Sequence, residues 1–422
     1  MRSMLTSINS VAAVGLTFSS ARMLIGATSA LYLLSKGITA GELGLMKSFQ
    51  AFLLMLLDFP LGVLADRRGR RVCLILGSAA GASWLALTAA GSSFWVLVFA
   101  EGLNALSLAS FNGAFDAQLA EKYIADRGRP ALNRLLGDYH AVLFAMMALF
   151  SLVGGTFVNP ESSLFWWIAS ALLLLITCLI PLLMKDDSTF HAEHSTEAKS
   201  TIKPTVLKLL QGELSEVLRQ IWTTPEIRKI AIPFIGISVF YQLIIPYWQF
   251  FFLKNSQDNL FIGGIKLSFF GPLFFGILVI QSIASKALSI ERVSAVSNRV
   301  LLGQLAASAL FLAIAVYFMS GLWLCICGVL GLFGFVRLYT LSASAQLHNL
   351  IEDKRRASVL SALSVLTRMV LIIFLPLSGF LIERFGVWSL PLLGAVLTVA
   401  FVIGDIIAGR KLSSALPSPR MA

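Results

Sequence analysis

Long apolar runs separated by short polar segments dominate the chain. A helix needs about 20 mostly apolar residues to cross a bilayer, and twelve runs reach that length. The runs are continuously apolar rather than alternating, which excludes a transmembrane β-barrel. The pattern therefore predicts an all-α membrane protein with twelve transmembrane helices. The predicted helices are 11–34, 43–64, 72–91, 94–117, 138–158, 164–184, 229–253, 264–287, 299–319, 322–346, 358–382 and 387–408.

A polar stretch divides these runs into two groups of six. We predict a six-helix bundle at 1–184, a cytoplasmic linker at 185–228, and a second six-helix bundle with a short tail at 229–422. Apolar residues recur at helical spacing between 207 and 221, which predicts an amphipathic helix on the inner membrane surface. In folds with two such halves, the substrate site lies near the midplane of the membrane, between the halves.

Composition and charge agree with a membrane protein. Apolar residues make up 57% of the chain and charged residues 13%, against about 45–50% and 25% in soluble domains. A net charge of +11 would suggest nucleic acid for a soluble protein, but here the basic residues lie in short loops. Most of them lie on the side of the N-terminus, whereas the opposite loops hold Lys36, Lys254 and Arg384. This asymmetry predicts that both termini are cytoplasmic.

The sequence shows no chemistry typical of an enzyme. It contains no nucleotide-binding P-loop and no nucleophile motif. The four cysteines lie in or beside apolar runs without the spacing of a metal site, so we expect neither a metal nor a cofactor. The expected partners are a small-molecule substrate, protons and the lipid bilayer, without nucleic acid, and the chain is expected to be a monomer.

A charged motif containing two glycines follows the second predicted helix. Asp66 lies at a helix end, where it can pair with Arg70. Gly62 would allow a neighbouring helix to approach closely. The alternative is that the arginines only anchor the loop in the cytoplasm. The motif comprises Gly62, Asp66, Arg67, Gly69, Arg70 and Arg71.

This motif and its position closely resemble the loop motif of the major facilitator superfamily. The resemblance implies a secondary transporter in which the motif latches helix two to helix eleven in one state and releases it in another. It also implies that Asp116, at the cytoplasmic end of helix four, completes a charge relay with the loop arginine. The sequence departs from the family in three places. The loop at 285–299 lacks a second copy of the motif, and helix four carries Glu101 instead of the usual arginine near its start. Gly154-Gly155-Thr156 is only a fragment of the helix-five motif of related exporters.

Charged residues inside predicted spans are candidates for function, because a charge in the hydrocarbon region costs about 2.5–3.5 kcal/mol on insertion scales. Glu101 is the first candidate for a proton-carrying carboxylate, and the alternative is a structural pair with an arginine. Asp58 is a second proton-coupling candidate or a partner of the loop motif. Arg22 and Arg368, at mid-depth in helices one and eleven, are candidates for binding an anionic substrate. Arg337 is placed in the cytoplasmic third of helix ten and predicted to be structural.

Uncharged polar residues complete the predicted substrate site. These candidates are Tyr241, Gln242, Gln249 and Asn112. Three tryptophans, Trp166, Trp167 and Trp248, are instead expected at the membrane interface.

These features predict a secondary active transporter of the inner or plasma membrane that works by alternating access. The first interpretation is proton-coupled export, by antiport, of a small organic compound that is either drug-like or a secreted metabolite such as a siderophore. The second is uptake of an anionic nutrient or a metal chelate, which the mid-depth arginines favour. The third is a sensor or scaffold built on a transporter fold.

Overall fold

The chain folds almost entirely into helices. The computed structural model describes residues 2–127, 132–157, 161–184, 223–252, 260–262, 265–287, 296–318, 321–351 and 353–415. The first seven helices are α1 (Arg2–Met23), α2 (Ser29–Ser35), α3 (Ala40–Arg68), α4 (Arg70–Ala90), α5 (Phe94–Arg127), α6 (Leu132–Thr156) and α7 (Leu164–Leu183). The later helices are α8 (Pro225–Ile244), α9 (Phe270–Ala287), α10 (Asn298–Tyr317), α11 (Leu322–Leu350), α12 (Asp353–Phe385) and α13 (Ser389–Ala415). A 3₁₀ segment, Trp248–Phe252, follows α8.

The predicted all-α membrane fold is confirmed. Ten of the described helices are long and apolar enough to cross a membrane, namely α3, α4, α5 and α7 to α13. The first predicted span corresponds to α1 and α2, and the fifth corresponds to α6. Large apolar side chains such as Trp95 and Leu182 are 75% and 79% exposed, which suits a surface that contacts lipid. The predicted linker helix lies outside the described residues.

The first predicted span is not one continuous helix, so that prediction was wrong. The chain leaves α1 after Met23 and enters α2 at Ser29, and the intervening turn is closed by short-range backbone bonds such as Gly26 N–H to the Met23 carbonyl at 3.1 Å. The glycines of α6 make room for this turn. A Cβ built on Gly154 would overlap the carbonyl oxygen of Leu24, so only glycine allows this approach.

The predicted span 264–287 also begins later than expected. Ile265–Leu267 forms a short antiparallel pair with Leu260–Ile262, in which Phe261 lies opposite Lys266. The helix α9 therefore starts at Phe270. Residues of an apolar run can pair as strands where the backbone bonds are satisfied locally, and hydropathy alone does not distinguish the two structures.

The described residues group into two compact units. Unit 1 comprises Met1–Pro204, Leu253–Val279 and Leu371–Phe380. Its core contains Phe18 stacked on Phe111, with ring centroids 3.6 Å apart. Trp166 is 2% exposed and packs in this core against Tyr32 and Trp84, so its side chain faces the interior of the unit rather than lipid. Of the other two tryptophans predicted at the interface, Trp167 is 47% exposed and Trp248 is buried.

Unit 1 also includes two segments from later in the sequence. Ser48 on α3 donates a hydrogen bond to the carbonyl of Ile372 at 2.5 Å. A Cβ on Gly379 would overlap the backbone of Ala40, which shows how closely α12 approaches the start of α3. These backbone-level approaches bring Leu371–Phe380 into unit 1.

Unit 2 comprises Thr205–Phe252, Ile280–Val370 and Leu381–Ala422. Asn298 on α10 and Gln346 on α11 exchange amide hydrogen bonds of 2.9 and 3.1 Å. Arg299 forms an ion pair with Asp405 on α13. These polar contacts tie α10 to both of its neighbours at one end of the helix.

Candidate substrate and proton site

A chain of polar contacts joins three helices inside unit 1. Glu101 on α5 is 3% exposed, and its Oε1 lies 2.8 Å from Nζ of Lys47 on α3. Asn104 lies one helical turn further along α5, on the same face. Its amide donates to Oε2 of Glu101 at 3.0 Å, and its carbonyl oxygen accepts a hydrogen bond from Arg22 of α1. We call Arg22, Lys47, Glu101 and Asn104 the α5 network.

Arg22 is held from several sides. It lies in the last turn of α1, where the partial negative charge of a helix C-terminus favours a cation. Its Nη1 donates to Ser107 at 3.4 Å, and its guanidinium carbon lies 4.5 Å from the ring centroid of Trp84. Such a cation–π contact contributes about 0.5–2 kcal/mol, more where water is excluded. The guanidinium is therefore engaged by protein groups on α4 and α5.

The α5 network holds one carboxylate and two cations. Lys47 forms a direct ion pair with Glu101, and Arg22 is connected to the same carboxylate through Asn104. A buried ion pair is costly to break from one side, because the remaining charge stays poorly solvated. The Lys47–Glu101 pair therefore links α3 to α5 inside unit 1.

The structure joins two residues that the sequence had given separate roles. Glu101 was predicted to carry protons and Arg22 to bind substrate, whereas Asn104 connects them within one network. Lys47 was missed as a site residue, although a lysine inside the second apolar run is itself a signal. Asp58 is exposed and lies eleven residues beyond Lys47 on α3, about 16 Å along the helix, so it is outside this network.

A second polar cluster lies in unit 2. The hydroxyl of Tyr241 on α8 donates to Oε1 of Gln281 on α9 at 3.4 Å, and its ring packs edge-on against Phe333 of α11. Nε of Arg337 on α11 donates to Oγ of Ser285 at 3.0 Å, and Ser285 donates to the Gln281 carbonyl at 2.8 Å. Of the predicted substrate residues in unit 2, only Tyr241 belongs to this cluster.

The remaining predicted substrate residues are scattered. Gln242 is exposed on α8, Gln249 is 1% exposed in the 3₁₀ segment, and Asn112 is exposed on α5. Arg368 is half-buried on α12. Among the described residues, no contact joins Gln242 or Asn112 to either polar cluster, and the roles of all four stay predictions.

The loop motif is partly described. Gly69 is the one residue between α3 and α4, and its φ of +89° is a conformation that favours glycine. Nη2 of Arg71 donates to the carbonyl of Pro181 on α7 at 2.9 Å. A Cβ on Gly62 would meet no described atom within 4 Å, so the close helix approach predicted there is not seen among the described residues.

The predicted charge relay stays untested by these contacts. The side chains of Asp66 and Arg67 lie outside the described residues, and so does any pair between Asp66 and Arg70. Asp116 is exposed on α5, within electrostatic reach of His140 on α6. Its part in the relay is therefore still a prediction.

Sequence comparison decides the family. A sequence model of the Major Facilitator Superfamily matches residues 11–344. The chain belongs to the major facilitator superfamily. It is a multi-pass membrane protein and a transporter rather than an enzyme, as members of this superfamily are. No curated relative matches the chain.

Solved structures of major facilitator transporters share this fold. The nucleoside transporter NupG is 12% identical with a TM-score of 0.72, and the match covers 95% of this chain and 98% of that one. Tetrameric PepTSo2 is 13% identical with a TM-score of 0.67 and coverages of 97% and 98%. A peptide transporter POT in complex with alafosfalin is 14% identical with a TM-score of 0.64 and coverages of 96% and 95%. At these identities, the likeness shows the fold alone.

Proposed function

We propose that this transporter couples the movement of a small organic compound to protons, with Glu101 as the carboxylate that carries the proton. The observation that supports this most directly is the α5 network. A carboxylate that is 3% exposed is held between a lysine of α3 and an amide that also binds an arginine of α1. Gaining or losing one proton therefore changes interactions on three helices at once.

The proposed cycle follows from these contacts. With Glu101 ionised, the ion pair to Lys47 and the hydrogen bond from Asn104 hold α3 and α5 together. A proton from solvent on one side of the membrane adds to a Glu101 oxygen and removes the ion pair, which frees α3 to shift. Loss of that proton to the other side restores the pair. Alternating access then links each proton to one passage of substrate.

Export is the proposed direction, and the cargo is a small organic compound. The complete loop motif from Gly62 to Arg71 supports the likeness to exporters. The solved structures named for nucleoside and peptide transport support a small organic cargo, drug-like or a secreted metabolite such as a siderophore. We place the protein in the inner or plasma membrane as a monomer.

Uptake of an anionic nutrient or a metal chelate is the second candidate. Arg337 favours it, because this arginine within a membrane span has a serine rather than a carboxylate as its hydrogen-bond partner among the described residues. A sensor or scaffold is the third candidate. The buried ion pair of Lys47 and Glu101 disfavours it, because a scaffold gains little from such a costly contact.

The test compares accumulation of ethidium and of a ferric chelate in cells with and without this protein, at acidic and neutral external pH. Lower accumulation that needs a proton gradient supports export, and higher accumulation of one compound moves the assignment to uptake. Glu101→Gln is expected to abolish gradient-driven transport. The matched control is Glu42→Gln, because Glu42 caps α3 through its side chain and glutamine serves equally at that position. Unchanged transport in Glu101→Gln would refute the proposed proton role.

A further inference from the structure

We propose that Arg337, Tyr241, Gln281 and Ser285 form a binding site for a carboxylate group, and that the cargo is therefore a monoanionic organic acid. We call this cluster the α11 arginine site. The inference rests on the proposed transport function, because it names the chemical class of the compound that is moved.

Arg337 lies within the apolar span of α11. The apolar part of α11 runs from Leu322 to Leu347, and Arg337 lies fifteen residues from the first of these and ten from the second. At about 1.5 Å per residue, the arginine is about 22 Å from one end and about 15 Å from the other. It therefore lies well inside the apolar span rather than at either end. A charge at this depth is a functional candidate by default.

The helices around Arg337 offer it no carboxylate among the described residues. The helices α9 and α11 contain no acidic residue. The one acidic residue of α8 is Glu226, in its first turn, fifteen residues before Tyr241 and so about 22 Å away along the helix. Asp405 on α13 is already paired with Arg299. Within the described part of the chain, no carboxylate neutralises Arg337.

One edge of the Arg337 guanidinium is available to a ligand. Arg337 uses Nε to bond Ser285, and among the described residues Nη1 and Nη2 donate to no protein acceptor. Two N–H groups on one edge of a planar guanidinium match the two oxygens of a carboxylate in a bidentate pair. Ser285 fixes the guanidinium from the other side, since its own hydroxyl is committed to the Gln281 carbonyl. The arginine is thus oriented without being neutralised.

Aromatic and polar side chains beside Arg337 can contact the remainder of the ligand. The ring of Tyr241 packs edge-on against Phe333, with centroids 5.6 Å apart, which supplies an apolar wall beside the charge. Tyr241 and Gln281 add a hydroxyl and an amide that can share hydrogen bonds with polar atoms of the ligand. The cluster contains one positive charge. Lys286 follows Ser285 on α9, but successive residues of a helix do not face the same way. One charge and an apolar wall favour a compound with a single carboxylate attached to an apolar body.

The test measures binding to the purified full-length protein in detergent, by the rise in thermal unfolding temperature that a ligand produces. The probes are benzoate, phenyl phosphate and benzamide, which share a ring but differ in charge. We expect benzoate to raise the unfolding temperature and neutral benzamide to have no effect. Arg337→Gln should abolish the benzoate shift, and Arg337→Lys should weaken it about tenfold in affinity, because lysine lacks the planar fork. Arg299→Gln is the matched control, since Arg299 already has Asp405 as its partner, and it should keep the full shift.

Three outcomes would overturn the proposal. One is the absence of a benzoate shift in the wild-type protein. Another is a shift that persists in Arg337→Gln, which would place the anion elsewhere. The last is stabilisation by phenyl phosphate but not by benzoate, which would replace the carboxylate by a phosphate group. If Arg337→Gln does not fold, as judged by size-exclusion chromatography, Ser285→Ala serves instead and should reduce the shift. The binding assay needs no pH gradient, so its failure is distinguishable from a failure of proton coupling at Glu101.

Discussion

Each unit of this transporter holds an arginine on an apolar helix, and the two arginines have different partners. In unit 1, Arg22 binds Asn104 and lies over Trp84, within a network that also contains a carboxylate. In unit 2, Arg337 binds a serine hydroxyl, and none of its partners among the described residues carries a negative charge. The first site therefore contains its own counter-charge, whereas the described residues of the second site supply none.

This difference assigns different tasks to the two units under the proposed function. A site whose charge varies suits proton coupling, because protonation of Glu101 alters contacts on α1, α3 and α5. A site with a positive charge and an open guanidinium edge suits an anionic ligand, because no carboxylate in the described part of the chain competes for it. Substitutions that remove a charge or a packing contact from each site can test this difference.

Removing Lys47 is expected to have the largest effect. Lys47→Met leaves Glu101 buried without its ion-pair partner, and breaking such a pair from one side costs up to about 3–5 kcal/mol. The double variant Lys47→Met with Glu101→Gln removes both charges and should recover much of the lost stability. Thermal unfolding of the purified variants measures the coupling between the two residues. Additive destabilisation, in which the double variant loses as much stability as Lys47→Met and Glu101→Gln together, would show that the pair is not a coupled unit.

Substituting Gly154, which packs against the turn after Arg22, is expected to cause the next largest loss of stability. Gly154→Ala forces a methyl group onto the backbone carbonyl of Leu24, in the turn that follows Arg22, and overpacking of this kind costs about 1–3 kcal/mol. The matched control is Gly303→Ala on α10 in unit 2, where a Cβ meets no described atom within 4 Å. Alanine is better than glycine in a helix by about 1 kcal/mol, so the control should be neutral or slightly stabilised. A tolerated Gly154→Ala would mean that the close approach of α6 to the turn is not needed.

Hydropathy predicted most of this fold, because the cost of unsatisfied backbone groups in lipid leaves few structures open to a long apolar run. It did not predict the break after Met23, since the apolar composition of 11–34 continues unchanged through the turn. The turn packs closely against Gly154, and this approach of Gly154 to Leu24 joins positions that are far apart in sequence. The fragment of the exporter motif at Gly154 thus has a packing role that the sequence pattern alone could not reveal.

The site was predicted less completely than the fold. Glu101 and Arg22 were found because charges in apolar runs are conspicuous. Their connection was not, although Asn104 lies three residues after Glu101 and so shares its helix face. The partner across the bundle, Lys47, depends on how α3 is rotated against α5. Arg337 was judged structural from its presumed depth, and its lack of a counter-charge became visible only when α8, α9 and α11 were placed together.

Removing the arginines themselves is expected to have the smallest effects, and these effects should differ between the units. Arg22→Gln loses the contact with Trp84 and the bond to Ser107, which together contribute about 1–3 kcal/mol. Arg337→Gln loses one hydrogen bond to Ser285, about 1 kcal/mol, but it also removes a charge whose insertion costs about 2.5–3.5 kcal/mol. Without ligand, it should therefore be neutral or stabilising.

Thermal unfolding of both variants in the same detergent, in buffer free of organic anions, measures this difference. The two substitutions are chemically identical, so each serves as the control for the other. A loss of stability in Arg337→Gln as large as in Arg22→Gln would mean that Arg337 is a structural residue, as its sequence position first suggested. A stable Arg337→Gln that no longer responds to benzoate would instead show that the charge is retained for its ligand, because the folded protein gains nothing else from keeping it.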